Sequence, residues 1–162
     1  MTTRTIVITG GLGNLGSKLC RHLLNQNSSD GDGSKTSNKV ILIEHPNFID
    51  KNKPLPHDDA IVLPCDLGSP NQQDEGGGGL SLKEALQGAD TLIHFSAVNP
   101  YPNASWSECA QSMDHTFYIF QLAVLCKGKS VVFLGCVRGL LVTYSAQLLQ
   151  RCIYAHNCIH AQ

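Results

Sequence analysis

The sequence predicts an α/β fold, a doubly wound parallel sheet with helices on both faces, and three observations carry that expectation. Apolar runs of strand length recur near 5–9, 39–44, 60–65, 91–96 and 130–134 of the 162 residues. Segments with apolar residues at helical spacing separate several of them, the alternation that builds parallel βαβ units. The first run, Ile6-Val7-Ile8, is continuously apolar rather than alternating, as a strand buried on both faces requires.

The elements follow in order. The first strand breaks into Gly10-Gly11-Leu12-Gly13-Asn14-Leu15-Gly16, and Leu15, Leu19, Leu23 and Leu24 then recur at helical spacing. Residues 25–38, NQNSSDGDGSKTSN, are too polar and too rich in glycine and serine to pack, so they read as a flexible surface insertion. The second strand, Val40-Ile41-Leu42-Ile43, ends at Glu44, and the third ends at Cys65-Asp66-Leu67. Residues 71–79, NQQDEGGGG, form a second low-complexity insertion; no strand leads into its glycines, so they do not read as a phosphate loop.

Ser81-Leu82-Lys83-Glu84 has capping-box spacing, with Gly88 as a C-terminal stop, and the fourth strand follows. Ser105-Trp106-Ser107-Glu108 repeats the capping spacing ahead of a helix running to about Cys126, with Ala110, Met113, Phe117 and Val124 as inward candidates. After the fifth strand, Leu141, Tyr144, Leu148 and Cys152 fall on one helical stripe, so residues 135–162 read as an atypical helical tail. The boundaries are thus one domain over 1–134 and the tail beyond it.

A chain of this length supports one domain with a real core. The formal charge of −1 leaves no electrostatic footprint for nucleic acid or an anionic membrane. Residues 131–149 are apolar, but Arg138 and the glycines interrupt them, so no membrane span is expected. Seven cysteines without a CxxC pair argue against a disulfide framework, and no basic region precedes a long apolar stretch at the N-terminus. The expected compartment is cytoplasmic. Cys152, His156 and His160 share a helical spacing but match no established zinc pattern, so no metal is assigned.

The chemistry lies in the glycine loop. Glycine there serves a tight turn out of the strand, then close approach of phosphate oxygens to the backbone, then close packing of the helix on the sheet. The helix behind it directs unpaired amides and its positive dipole end at a bound anion. Residues 10–16 therefore read as a grip on a dinucleotide pyrophosphate. Glu44, at the end of the second strand, suits the hydroxyls of an adenosine ribose and repels a 2′-phosphate, which favours NAD over NADP. The bland alternative for Glu44 is a solvated strand end. Asp66 fits a turn or cap carboxylate as well as a ligand contact, and His94, inside a strand, reads as a packed, hydrogen-bonded residue rather than a catalyst.

Thr9-Gly10-Gly11-Leu12-Gly13-Asn14-Leu15-Gly16, Cys65-Asp66-Leu67 and Leu86-Gln87-Gly88-Ala89-Asp90-Thr91-Leu92-Ile93-His94-Phe95-Ser96-Ala97 together resemble the extended short-chain dehydrogenase/reductase family, the NAD-dependent epimerase/dehydratase group. The loop satisfies both GxGxxG (Gly11, Gly13, Gly16) and the family's TGxxGxxG (Thr9, Gly10, Gly13, Gly16), and Thr9 favours the latter. The resemblance implies a Rossmann-type doubly wound parallel sheet, here truncated after about five strands. It also implies a bound NAD, with Gly10, Gly13 and Gly16 contacting the cofactor, Asp66 and Leu67 beside the adenine, and Ser96 and Ala97 flanking the central phosphates and nicotinamide ribose. Asn99-Pro100-Tyr101-Pro102 with Ser105-Trp106 is most similar to members related to uronate dehydrogenases. The parent activity so implied is an oxidoreductase or epimerase acting on a sugar or sugar acid.

The resemblance covers about residues 3–134 and fails where the catalyst belongs. Family members carry Ser or Thr past the fifth strand and then Tyr-x-x-x-Lys, whose lysine favours the phenolate by its charge. Here Gly135-Cys136 follow the strand, and Tyr144-Ser145-Ala146-Gln147-Leu148 has leucine in the lysine position. No catalytic residue is assigned. The expectation is a dinucleotide-binding chain with impaired turnover; the alternative is a non-catalytic module or a shortened gene product. An open apolar sheet edge further predicts poor solubility or a homodimer.

Overall fold

The computed structural model describes residues 2–28, 36–68, 81–98, 105–125, 130–134 and 141–145. In chain order the elements are β1 (Thr2–Thr9), α1 (Asn14–Asn25), β2 (Thr36–Glu44), β3 (Ile61–Pro64), α2 (Leu82–Gln87), β4 (Thr91–His94), α3 (Trp106–Leu125), β5 (Ser130–Leu134) and β6 (Leu141–Ser145), with short 3-10 turns at Gln26–Ser28 and Pro46–Phe48. They build one sheet in the order β3-β2-β1-β4-β5-β6. β1 to β5 run parallel, with Ile6 paired to Val40 on one side and to Thr91 on the other. Winding starts at β1 and proceeds outward in both directions, so the β1/β4 boundary is the switch point at which such sheets open a crevice.

The continuous apolar runs are explained by burial on both faces. Ile6, Ile8, Val40 and Leu42 pack beneath Cys20 and Leu24 of α1, while Val7, Ile41, Ile43 and Leu92 pack beneath α2 and α3. Successive strand residues point to opposite faces, so one apolar run serves two half-cores. Both capping boxes form. The Ser81 hydroxyl accepts from Glu84 N–H (3.1 Å) while the Glu84 carboxylate accepts from Ser81 N–H (2.8 Å), and Ser105 and Glu108 repeat the exchange. The Ser81 backbone N–H donated to the carboxylate, and secondarily the Ser81 side chain, hold the Glu84 carboxyl below its ordinary pKa.

Two expectations are corrected. Residues 141–145 form a strand antiparallel to β5, not part of a helix, so the sheet continues past the fifth strand. β5 without a neighbour would present a row of unpaired backbone groups, which the hydrogen bonds of Leu-Val-Thr-Tyr-Ser satisfy. Leu148, Cys152, His156 and His160, the rest of that expected helix, lie outside the described residues, as do residues 71–79 and Asn99–Pro102.

Secondly, Met113 and Phe117 are not core: they are 69% and 41% exposed, and α3 buries Ile119 and Ala123 instead. The inward face of α3's first half is polar because its partners are polar. Ser112 accepts from Val98 N–H (2.9 Å), and Thr116 meets His94 (3.0 Å). Ala110 is half-buried, and the Val124 side chain lies outside the described residues. Of the 25–38 stretch, residues 25–28 and 36–38 belong to α1, a 3-10 turn and β2, and Asn27 and Asn38 exchange two hydrogen bonds (2.7 and 2.9 Å) across its base. Residues 29–35 lie outside the described residues.

Candidate functional site

The C-terminal ends of β1, β2, β3 and β4 open on one cavity of about 700 Å³, lined among others by Gly10, Gly13, Glu44, Asp66, Leu67, Ser96 and Ala97. Residues far apart in sequence meet there because four parallel strands end on the same edge.

Gly10 takes φ +65°, a conformation that side chains rarely adopt. A Cβ there would stand 2.9 Å from the backbone nitrogen of Ser96, so the turn out of β1 passes directly against the turn out of β4. Gly10 N–H donates to the Ile43 carbonyl (2.9 Å), and Gly13 N–H to the Gly10 carbonyl (3.1 Å), which curls the chain into α1. Gly16 packs on that curl, where a Cβ would stand 2.5 Å from the Gly10 oxygen. The two overlapping glycine spacings thereby separate by task. Gly10 and Gly13 line the cavity, whereas Gly11 is pressed against Leu42 and Gly16 against the loop. Leu12, Asn14 and Leu15 belong to the turn and first helical residues and are not among the cavity's lining side chains; Leu15 is 51% exposed.

The first turn of α1 carries no acidic residue. Its leading amides and dipole end therefore suit an anion. Among the described residues, no lysine or arginine lines the cavity, so phosphate held here is held by backbone.

Glu44 does more than end β2. One carboxylate oxygen accepts from Leu12 N–H (3.0 Å) and the other from His45 N–H (3.1 Å), so the same group ties the glycine loop to β2. A carboxylate has about four lone-pair sites, which leaves capacity for ligand hydroxyls. Asp66 is a turn carboxylate that also borders the cavity. Its Oδ1 accepts from Gly68 N–H (2.8 Å) in a turn and lies 3.8 Å from His45 Nε2, and the residue lines the cavity.

Ser96 is held by a buried polar relay, and Ala97 follows it along the cavity wall. Ser96 N–H donates to Thr9 Oγ1 (3.4 Å), Thr9 Oγ1 meets His94 Nδ1 (2.6 Å), and His94 Nε2 meets Thr116 Oγ1 (3.0 Å). Thr116 donates its hydroxyl hydrogen to the Ser112 carbonyl (2.8 Å). His94 Nε2 must then donate, Nδ1 must accept, and the imidazole is the neutral Nε2–H tautomer. Burial, and secondarily the charge of His115, push its pKa down to about 4, consistent with that neutral state. His94 is the packed, hydrogen-bonded residue the sequence suggests, tying β1, β4 and α3 together.

Sequence reasoning missed His45, Phe48, Gly68, Glu108, Gln111 and His115 on the cavity wall. His45 adjoins Glu44 at a strand end, a signal that was available. It accepts from Asn47 N–H (3.1 Å) and its ring lies 5.5 Å from that of Phe48. His115 had none, because only the docking of α3 brings it to the β3 loop. Among the described residues no group of three or more metal-ligating side chains occurs, and no helix is long and apolar enough to cross a membrane.

No family model and no curated protein matches the sequence. Solved structures do match in fold. The Bordetella bronchiseptica enzyme WbmG, in complex with NAD and UDP, aligns at 20% identity over 79% of this chain and 36% of its own, with TM-score 0.56. Uronate dehydrogenase from Agrobacterium tumefaciens, as a mutant complexed with NAD, aligns at 14% identity over 83% of this chain and 41% of its own, TM-score 0.53. UDP-N-acetylglucosamine 4-epimerase from Methanobrevibacter ruminantium aligns at 19% identity over 100% of this chain and 52% of its own, TM-score 0.55. The chain thus spans about a third to a half of the length of these structures. At such identities the likeness is one of fold, a Rossmann-type α/β sheet.

Proposed function

We propose that this chain is an NAD-binding protein of the extended short-chain dehydrogenase/reductase, NAD-dependent epimerase/dehydratase group. The observation that carries this reading is Gly10, held at φ +65° against the Ser96 backbone, where the sheet switches direction and α1 begins. No other residue type fits that place, and what it clears is an approach to the open amides of α1. The leading amides of α1, at Asn14, Leu15 and Gly16, hold the pyrophosphate, while Gly10, Gly11, Leu12 and Gly13, whose own N–H groups go to Ile43, Glu44 and the Gly10 carbonyl, shape the turn that lets it approach. Glu44 takes the adenosine ribose hydroxyls, Asp66 and Leu67 the adenine, and Ser96 and Ala97 the nicotinamide side. NADP is disfavoured, since its 2′-phosphate would meet the Glu44 carboxylate. NAD supplies a hydride acceptor, and the chain supplies its binding and orientation. Several structures of like fold are complexes with NAD, which supports this choice of ligand.

The parent reaction class is oxidation or epimerisation of a sugar or sugar acid, and we assign this chain binding without efficient turnover. In a helix, tyrosine and lysine four apart share a face, so that the ammonium can hold the phenol as phenolate. Tyr144 lies on a strand, paired opposite Val131, and residue 148 is leucine. A saturable change in NADH fluorescence on adding the chain tests the binding, and its absence overturns it. Reduction of NAD with uronic acids or nucleotide sugars, at a rate abolished by Tyr144→Phe, would overturn the assignment of impaired turnover.

A further inference from the structure

Three large apolar side chains exposed on this chain stand on one helix: Trp106, Met113 and Phe117 of α3. At about 100° per residue they fall, with the half-buried Ala110, within roughly 60° of one another and form a single stripe. Apolar residues scattered singly over a surface are ordinary, whereas a contiguous patch marks a place that something covers.

The other contacts of α3 show where that stripe faces. Ser112 and Thr116 meet Val98 and His94, so α3 lies along β4. Glu108, Gln111 and His115 line the cavity, and a Cβ on Gly68 would stand 2.9 Å from His115 Nε2, so this flank of α3 faces the β3 side. Met113 and Phe117 lie about half a turn round the helix from it. In the strand order β3-β2-β1-β4-β5-β6 they therefore overhang β5 and β6. Leu92 belongs to the half-core beneath α3, and the register positions beside it, Val131 and then Tyr144, continue that face outward. Among the described residues no further helix follows α3 to cover this half of the sheet.

The course of β6 points to the occupant. β6 runs back against β5 with Ser145 opposite Ser130, so the chain leaves the sheet at the end where α3 finishes. Residues 146–162, AQLLQRCIYAHNCIHAQ, continue from there and lie outside the described residues. Leu148, Leu149, Cys152, Ile153 and Ile159 keep helical spacing, and the one charged residue of the segment, Arg151, falls off that stripe. At a helical rise of 1.5 Å the segment spans about 25 Å, against about 18 Å from Leu125 back to Met113. We infer that residues 146–162 return antiparallel to α3 and lay their apolar stripe against Met113 and Phe117, closing the layer over β5 and β6. The inference is independent of the dinucleotide reading.

Met1 and Met113 are the chain's two methionines, so peroxide oxidation of Met113, read by peptide mass spectrometry, reports on the stripe without a label. In the full chain Met113 should oxidise about fivefold or more slowly than in the double variant Leu149→Asp, Ile153→Asp. Gln150→Asp, off the apolar stripe, should leave the rate unchanged. Met113→Glu approaches from the other side, at an already exposed position, and keeps the test decisive should the double variant not fold. It should speed trypsin cleavage after Arg151, the one tryptic site beyond Arg138, by a similar factor. Equal oxidation rates in the full chain and a folded double variant, or an unchanged cleavage rate in Met113→Glu, overturn the inference. So does protection of Met113 that grows with protein concentration alongside a dimer in light scattering, because the occupant is then a second copy of the chain.

Discussion

Mild acid should weaken this fold through His94. The imidazole is fully buried between Thr9 and Thr116, and burial first, with the charge of His115 second, holds its pKa at about 4, against 6.5 for the free group. With the folded pKa below the unfolded one, the unfolded chain binds more protons anywhere between the two values. The stability tied to neutral His94 is therefore complete above pH 6.5, falls as pH drops through the window, and stops changing below about 4. At about 1.4 kcal/mol per pKa unit the whole window amounts to roughly 3 kcal/mol, of which about 2 kcal/mol is gone by pH 5. Urea unfolding of the chain and of His94→Gln between pH 7.5 and 4.5 measures it. Carboxylates such as Glu84 titrate in both proteins and cancel in the difference. Near pH 7.5 the variant should be less stable by about 1–3 kcal/mol, because buried hydroxyl partners are imperfectly satisfied, and the gap should close toward pH 5. Parallel stability curves for the two proteins would refute the reasoning.

Gly10→Ala should lower stability by about 1–3 kcal/mol from the strained φ alone, and should also weaken NADH binding; an unchanged melting temperature with unchanged affinity would contradict the close approach to Ser96. Glu44→Ala removes the acceptor for Leu12 and His45 amides, so NAD affinity should fall roughly tenfold and discrimination against NADP should relax. Tighter binding of NADP than NAD by the unsubstituted chain would count against Glu44 as the ribose contact. Thr9→Val keeps the shape but removes the oxygen that accepts from Ser96 and meets His94, and should cost about 1–3 kcal/mol in a thermal melt. Ser81→Ala removes the α2 cap and should cost about 1 kcal/mol, read by the same melt.

How much of this was legible beforehand depends on the range of the interactions involved. The strands, the glycine turn, both capping boxes and Glu44 rest on residues within a turn or a strand of each other, and local chemistry decides them: Gly10 needs its φ, Ser81 needs Glu84 three residues on, and an unbroken apolar run needs two covered faces. The sequence alone thereby determined the layered α/β architecture and the strand ends that line the cavity. It also determined that no lysine follows Tyr144 at helical spacing. Other features needed the folded chain. Met113 and Phe117 look like core from their periodicity, yet α3 turns Ser112 and Thr116 inward to satisfy Val98 and His94, contacts 14 and 22 residues away. Leu141–Ser145 fits a helical stripe, yet pairs with β5 because an uncovered edge strand leaves its backbone groups unsatisfied. Glu44 as a tether for Leu12, and His115 beside Asp66, likewise arise only when strand ends and a helix face are brought together. Periodicity records which residues are apolar; which partner claims a polar group is settled by tertiary packing, since a buried donor or acceptor must find its hydrogen bond wherever the chain provides one.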